Sequence, residues 1–291
     1  MTTGHHRLIV GFDGSSASAA AVRWAAAEAD IRGVALRVLT CSAVPVEVDF
    51  YGFGATSRAA LEQLLSAARA KHPGVELAAV ATYLDPRDVL IDEAASADLL
   101  VVGESGARMA RGWLCGSVVQ QAVRKSPCPV VIARAVPKAR TGRIVAGIDS
   151  SAAGDGVVDW ATDEADRRDA ELVIVHAWRY PDVATDLESA RARDLTRVDG
   201  RCALDRAVER SRARGRGPVR GELVEGTATD ALLDASRDAD IVAVGSRGRG
   251  GFRSFVSDSV AISLAEHALC PVAVVHPIRE CLDVGPNCSG G

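Results

Sequence analysis

The sequence contains the same α/β pattern twice. The first segments of the two copies align at an offset of 136 residues and the later segments at 142, which indicates a net insertion in the second copy. This insertion lies in the polar stretch between Tyr180 and Gly217. A duplication of this length predicts two similar domains, because each copy is long enough to bury its own core. The aligned segments are residues 7–13 with 143–149, Trp24 with Trp160, residues 97–103 with 239–245, and residues 128–130 with 270–272.

Composition marks the boundary between the copies. Residues 137–142 (PKARTG) are short and polar and carry proline and glycine at their ends, as is typical of a linker. We therefore expect one domain over residues 1–138 and a second over residues 143–278. Residues 279–291 are expected to form a flexible C-terminal tail.

Short runs of branched apolar residues alternate with helical patterns in each copy. This alternation predicts an α/β fold with a parallel sheet covered on both faces, and right-handed crossovers make it doubly wound. Ligands of such sheets bind beyond the carboxyl ends of the strands, where the strand order reverses. In the first copy, the predicted strands cover 8–12, 36–40, 75–82, 98–103 and 129–133, and the predicted helices run from Ser15 or Ser16 to Gly33 and over 58–70, 88–97 and 117–125.

The charge balance argues against some partners. The formal net charge is −4 and the sequence pI is about 5.9, whereas nucleic acids and anionic membranes normally require a basic surface. No leader pattern opens the chain, and no apolar run approaches the ~20 residues of a membrane span. We therefore expect a cytoplasmic protein with no nucleic-acid partner and no membrane span.

The seven cysteines show no C-x-x-C spacing. We expect the first five to be buried thiols in a reducing compartment and the last two, Cys281 and Cys288, to be exposed in the tail. The histidines do not lie at metal-ligand spacing, so no metal site is predicted. The first five cysteines are Cys41, Cys115, Cys128, Cys202 and Cys270.

Glycine-rich loops follow the first and fourth predicted strands of each copy. Glycines allow backbone N–H groups to converge on an anion, and the N-terminus of the next helix adds donors and a positive dipole end. An aspartate ends the first strand of each copy: Asp13 and Asp149. The combination indicates a nucleotide site, although a tight loop that needs glycine only for its geometry is the alternative.

Other phosphate and nucleophile motifs are absent. The sequence holds no G-x-x-x-x-G-K-[ST], and no G-x-G-x-x-G follows the first strand. Ser15 and Ser117 lack both a histidine in the motif and a G-x-S-x-G context, so we predict no catalytic residue. Six arginines between Arg206 and Arg220 are interleaved with acidic residues, and this pattern favours a solvated helix face over a nucleic-acid patch.

These motifs together resemble those of the universal stress protein family, in its tandem actinobacterial form. The resemblance covers residues 7–135 and 143–276 and rests on V-G-x-D-[GS]-S, on G-x-x-G-(nine residues)-G-[ST], and on C-P-V before the last strand. It implies two Rossmann-like domains of the adenine nucleotide α-hydrolase type, each a five-stranded parallel sheet in the order 3-2-1-4-5. It also implies ATP as the ligand, with or without Mg²⁺, and pairing between units through the last strand. A homodimer is expected, but these apolar last strands could pair within the chain, between chains, or both.

The resemblance carries site residues over position by position. In the first copy, Glu104 departs from the family pattern, and it places a carboxylate near the phosphate loop. In the second copy, Asp258 stands where the closing glycine belongs, and a carboxylate there would repel phosphate, so tighter binding is expected in the first copy. The expected nucleotide-binding residues are Gly11, Asp13, Gly103, Gly106, Ala107, Arg108, Gly116, Ser117 and Val118 in the first copy, and Gly147, Asp149, Gly245, Arg247, Gly248, Arg249, Gly250, Ser259 and Val260 in the second.

The sequence leaves three functions open. The leading hypothesis is an ATP-binding regulator of a stress response that acts through nucleotide-dependent conformation or through an unidentified protein partner. The second is an adenine-nucleotide enzyme such as a slow ATPase, with autophosphorylation included, or an adenylyltransferase. The third is an interaction scaffold that binds no nucleotide.

Overall fold

The chain builds one ten-stranded sheet flanked by eight helices in the residues that the structure describes. The computed structural model describes residues 6–41, 53–82, 84–104, 116–134, 139–149, 151–179, 187–246 and 256–276. The strands are β1 (Arg7–Phe12), β2 (Ala35–Cys41), β3 (Leu77–Thr82), β4 (Leu99–Gly103), β5 (Val130–Ala133), β6 (Arg143–Ile148), β7 (Glu171–Trp178), β8 (Val219–Glu225), β9 (Ile241–Gly245) and β10 (Val272–Val275). The helices are α1 (Ser16–Arg32), α2 (Phe53–Lys71), α3 (Pro86–Ala94), α4 (Ser117–Lys125), α5 (Ala152–Arg168), α6 (Leu187–Arg214), α7 (Ala228–Ala235) and α8 (Val256–His267).

The strand order is β3-β2-β1-β4-β5-β10-β9-β6-β7-β8. Each half therefore has the expected order 3-2-1-4-5, and all pairs within a half are parallel. The order reverses between β1 and β4, and between β6 and β9. Right-handed crossovers consequently place α1 and α2 on one face and α3 and α4 on the other.

Capping residues fix the start and the end of the first helix as predicted. The Ser15 hydroxyl accepts a hydrogen bond from the N–H of Ser18, and Gly33 ends α1 in the left-handed conformation with φ of 65°. The predicted helix 88–97 instead covers Pro86–Ala94, because Asp85 caps it and Pro86 occupies its first turn. Helix α2 begins five residues earlier than predicted, at Phe53.

The insertion in the second copy coincides with a longer helix. Helix α6 has 28 residues, whereas its counterpart α2 has 19. Three arginines of the basic stretch pair with carboxylates: Arg210 with Asp159 at 2.6 Å, Arg214 with Asp163 at 2.7 Å, and Arg220 with Glu171 at 2.8 Å. Half of the six arginines in the stretch are thus paired with carboxylates of α5 and β7.

Branched aliphatic and alanine side chains fill both layers between the sheet and the helices. One layer lies between the sheet and α1, α2, α5 and α6, and the other between the sheet and α3, α4, α7 and α8. Trp24 and Trp160 pack half-buried against the first layer, at equivalent positions of α1 and α5.

The two halves join through their last strands. Strands β5 and β10 pair antiparallel, with Val131 opposite Ala273, and both strands are buried along their whole length. The sequence left open whether these strands pair within the chain or between chains. The structure pairs them within the chain, which makes the sheet continuous.

A buried cluster of charges supports this junction on the helix side. Glu28 and Arg32 of α1 occupy positions equivalent to Glu164 and Arg168 of α5, and each arginine pairs with both glutamates. Arg32 Nη2 lies 2.6 Å from Glu164 Oε2, and the two glutamate side chains are 1% and 0% exposed. Burial lowers the pKa of Arg168, and the carboxylate of Glu28 opposes that shift.

We expect Glu164→Gln to lower the free energy of unfolding by about 3 kcal/mol, because removing one partner leaves buried guanidinium charge uncompensated. Urea denaturation monitored by circular dichroism measures this change. The matched control is Glu225→Gln, which removes the carboxylate of the exposed Arg193–Glu225 pair and should cost less than about 1 kcal/mol. Equal losses in the two variants would contradict a role of the buried cluster in stability.

Candidate functional site

The carboxyl edge of each half holds the residues that the sequence singled out. In the first half, β1 ends at Phe12 and leads to Asp13, and β4 ends at Gly103. Because the strand order reverses between β1 and β4, the loops after these two strands diverge and leave a crevice between them. Helix α4 leads to β5, which is parallel to β4, and therefore begins with Ser117 at this same carboxyl edge.

Matching turns hold the two strand-end aspartates. The N–H of Ser15 donates to Asp13 Oδ1 at 3.0 Å, and the N–H of Ser151 donates to Asp149 Oδ1 at 3.0 Å. In the second half, the hydroxyl of Ser151 also donates to Asp149. Both carboxylates are therefore oriented by the first residues of the loop that leads into α1 or α5.

Close packing accounts for three of the predicted glycines. A Cβ at Gly103 would lie 2.7 Å from the backbone carbon of Ala17, so β4 can approach α1 only with glycine at this position. A Cβ at Gly147 would meet the side chain of Leu232 at 2.6 Å, and one at Gly11 would meet Leu90 at 3.3 Å. Contact of these glycines with a ligand remains a prediction.

The start of α4 lacks a side-chain cap. Its N-cap residue is Gly116, which has no side chain to accept a hydrogen bond, and the first turn contains no acidic residue. Ser117 is exposed, and Val118 packs against the core. The first N–H groups of α4 thus lie at a positive dipole end with no carboxylate in the helix's own first turn.

Helix α8 starts differently from α4. It begins at Val256, so Asp258 falls inside its first turn, whereas Gly116, the residue that matches Asp258 in the first copy, precedes α4. Ser259 lies in the same turn, and Val260 packs partly buried against the core. The two helices therefore begin at different points of the repeat.

Part of the predicted site lies outside the described residues. The predicted residues that are not described are Gly106, Ala107 and Arg108 in the first loop, and Arg247, Gly248, Arg249 and Gly250 in the second. Gly245 ends β9 at the position equivalent to Gly103.

Glu104, the acidic departure in the first copy, is ion-paired. Its carboxylate lies 3.0 Å from Arg134 Nη1, and the Arg134 side chain is 7% exposed. Ser246 occupies the equivalent position in the second copy, where its Oγ is buried. Sequence reasoning missed Arg134, although its place directly after the last strand, equivalent to that of His276, was a visible signal.

Two clefts next to the strand-end loops were also missed. One, of about 390 Å³, lies between α5 and α6 and is lined by Asp149, Ser151, Asp155, Arg206 and Arg210 among others. Its counterpart of about 350 Å³ lies between α1 and α2. Both open on the α1 or α5 side of the sheet rather than in the crevice.

The cysteine prediction is only partly correct. Cys128 and Cys270 are buried, and burial raises the pKa of the Cys128 thiol to about 11, so it stays protonated at neutral pH. Cys202 is exposed, because it lies on the outer side of α6 while Ala203 and Leu204 face the core.

Comparison with known proteins identifies the family. The model of the universal stress protein family matches residues 4–134 and 141–276. The chain belongs to the universal stress protein family. Universal stress protein Rv2623 of Mycobacterium tuberculosis is 31% identical over 308 residues, which cover 94% of this chain and 98% of that protein. A relative from Mycolicibacterium smegmatis is 30% identical over 300 residues, covering 93% and 97% of the two chains.

Solved structures agree with this fold at low sequence identity. A universal stress protein from Archaeoglobus fulgidus superposes with a TM-score of 0.66 at 20% identity and covers 95% of this chain and 99% of its own. A protein of unknown function from Pseudomonas aeruginosa, PA1789, gives 0.66 at 16% identity and covers 94% and 93%. These two likenesses support the tandem α/β architecture alone.

Two further properties concern only the described part of the chain. None of its helices combines the length and the apolar character needed to cross a membrane. Within the same residues, no group of three or more His, Cys, Asp or Glu side chains is arranged to hold a metal ion.

We expect Gly103→Ala to lower the free energy of unfolding by about 1–3 kcal/mol, because the new methyl group collides with the backbone of α1. Thermal or urea unfolding measures the loss. The control is Gly11→Ala, whose methyl group meets only the end of the Leu90 side chain and should cost less. A Gly103→Ala protein of unchanged stability would show that the glycine serves something other than this packing.

Proposed function

We propose that this universal stress protein binds ATP in its first domain and regulates a stress response through the state of that site. One observation carries the proposal: α4 opens with Gly116 and no side-chain cap, at the same edge of the sheet as Asp13. Phosphates supply the acceptors that such a helix start lacks. Asp13 supplies a carboxylate for hydroxyl or amino groups at the nucleoside end.

The second domain is proposed to bind ATP more weakly. Asp258 lies in the first turn of α8, where phosphate would otherwise meet the helix dipole. The Asp258 carboxylate and the triphosphate are both negative and repel each other, so the second domain would bind ATP with lower affinity. Any Mg²⁺ is proposed to arrive with the triphosphate rather than to occupy a protein site.

A binding role is favoured over an enzymatic one by the surroundings of the serines. The Ser15 hydroxyl hydrogen-bonds with Ser18, and the described residues place no histidine against it. Nucleophilic catalysis requires an activating base within hydrogen-bonding distance. Slow hydrolysis remains compatible with this arrangement, because a bound triphosphate needs only a positioned water.

The proposal also concerns partners and location. A homodimer would have to use a surface other than β5 and β10, because these strands already pair with each other. A protein partner that responds to nucleotide, and a cytoplasmic location, complete the proposal.

Isothermal titration with ATP should give about one site per chain. Gly116→Asp should weaken this site at least about tenfold, because it adds a carboxylate at the start of α4. Asp258→Gly should add a second site or tighten a weak one. The control is Gly74→Asp, which adds the same charge in a turn where a side chain has open space, and it should leave binding unchanged.

The other functions predict different outcomes of the same measurements. No ATP binding, and no nucleotide found by mass spectrometry in the purified protein, would favour the scaffold. Release of phosphate or pyrophosphate at about 1 s⁻¹ or faster would favour an enzyme. Unchanged stoichiometry and affinity in Asp258→Gly would remove the proposed difference between the domains.

A further inference from the structure

Arg134 connects the first nucleotide site to the second domain. It follows β5, and its guanidinium donates to three backbone carbonyls beyond the domain boundary: Leu264 at 2.5 Å, Ala265 at 2.8 Å and Cys270 at 3.1 Å. Nη1 also donates to Glu104 Oε2 at 3.0 Å. One nearly buried cation thus holds a carboxylate of the first domain and the last turn of α8.

Both groups that Arg134 contacts are negative. The last carbonyls of a helix carry the negative end of its dipole, and Glu104 carries a full charge. Arg134 is anchored firmly, because its planar fork presents donors to both groups at once and four of its N–H···O contacts are formed.

Glu104 stands at the head of the first phosphate loop. It is the first residue after β4, and its N–H donates to the carbonyl of Ala133 at 3.2 Å, which fixes its backbone beside β5. A carboxylate here opposes the approach of a triphosphate unless a cation neutralises it. Within the described part of the chain, Arg134 presents a cation to it at 3.0 Å.

The second domain repeats the cross-domain contact without the carboxylate. His276, at the position equivalent to Arg134, lies with Nε2 2.9 Å from the carbonyl of Val123 near the end of α4. Ser246 stands in place of Glu104. The helix contact is therefore shared by both halves, whereas the acid–base pair belongs to the first half alone.

We propose that Arg134 is a positioning residue for nucleotide binding in the first domain: docked on α8 of the second domain, it neutralises Glu104 and so permits a triphosphate to bind. The inference rests on the proposed ATP site. It makes the affinity of the first domain depend on a contact with the second, because Arg134 is held by α8. No contact between Arg134 and the nucleotide is required.

The test is a double-mutant cycle read by ATP titration of the full chain. Arg134→Gln should weaken ATP binding about tenfold, because Glu104 loses the guanidinium that offsets part of its charge. Glu104→Gln should bind ATP as tightly as the wild type or more tightly. The double variant Glu104→Gln/Arg134→Gln should return to within about threefold of the wild type, although it lacks the same contacts with α8 as Arg134→Gln.

Two controls separate charge from structure. His276→Gln alters the equivalent cross-domain contact but leaves the Glu104–Arg134 pair intact, so ATP affinity should not change. The loss of ATP affinity in Arg134→Gln should shrink as the salt concentration rises from about 50 to about 500 mM, because screening weakens the repulsion between Glu104 and the triphosphate. Circular dichroism confirms that each variant is folded before titration.

The possible results distinguish the two proposals. A wild-type chain that binds no ATP would refute the proposed function itself. ATP binding by the wild type with no loss in Arg134→Gln would refute only the role of Arg134. A double variant as weak as Arg134→Gln would show that the loss comes from the α8 contact and would overturn the neutralisation of Glu104.

Discussion

The antiparallel pairing of β5 with β10 determines the relative orientation of the two halves and of their candidate sites. All strands within a half are parallel, so an antiparallel seam makes the two halves run in opposite directions. The carboxyl ends of the first half consequently lie at one edge of the sheet and those of the second half at the other. The two candidate sites therefore cannot share one nucleotide, and any influence of one on the other must cross the sheet.

Helices beside the seam provide the physical connection. Helix α8 starts at the carboxyl edge of the second half and, with its 12 residues, extends for about 18 Å towards the opposite edge. Its last turn meets Arg134, at the carboxyl edge of the first half. On the α1 and α5 side, the buried Glu28–Arg168 and Arg32–Glu164 pairs join the halves a second time. These contacts require both halves to be in register, since a displaced half would leave buried charges without partners.

The repeat in the sequence predicted most of this fold, because strand runs and helix caps are local signals. Ser15 and Gly33 mark the ends of α1 as the structure has them. The pairing of β5 with β10 could not be derived, since two apolar strands carry no signal for the chain they pair with. Cys202 was assigned to the interior by its residue type, whereas exposure depends on which side of α6 faces the core. The start of α8 at Val256 could not be derived from the repeat, because α4 and α8 begin at different points of it.

The candidate site was less predictable because its electrostatics depend on contacts between residues far apart in sequence. Glu104 read alone weakens the case for phosphate binding in the first domain, and Asp258 weakens it in the second. The structure shows that these two acidic residues have different surroundings. Glu104 meets a nearly buried guanidinium supplied after β5, whereas Asp258 sits in the first turn of the helix that would receive the phosphate. The two halves share a framework but differ at equivalent positions: Glu104 and Arg134 of the first half correspond to Ser246 and His276 of the second. On the proposed function, the difference between the domains therefore depends on whether an acid near the phosphate is offset by a paired cation, as Glu104 is by Arg134.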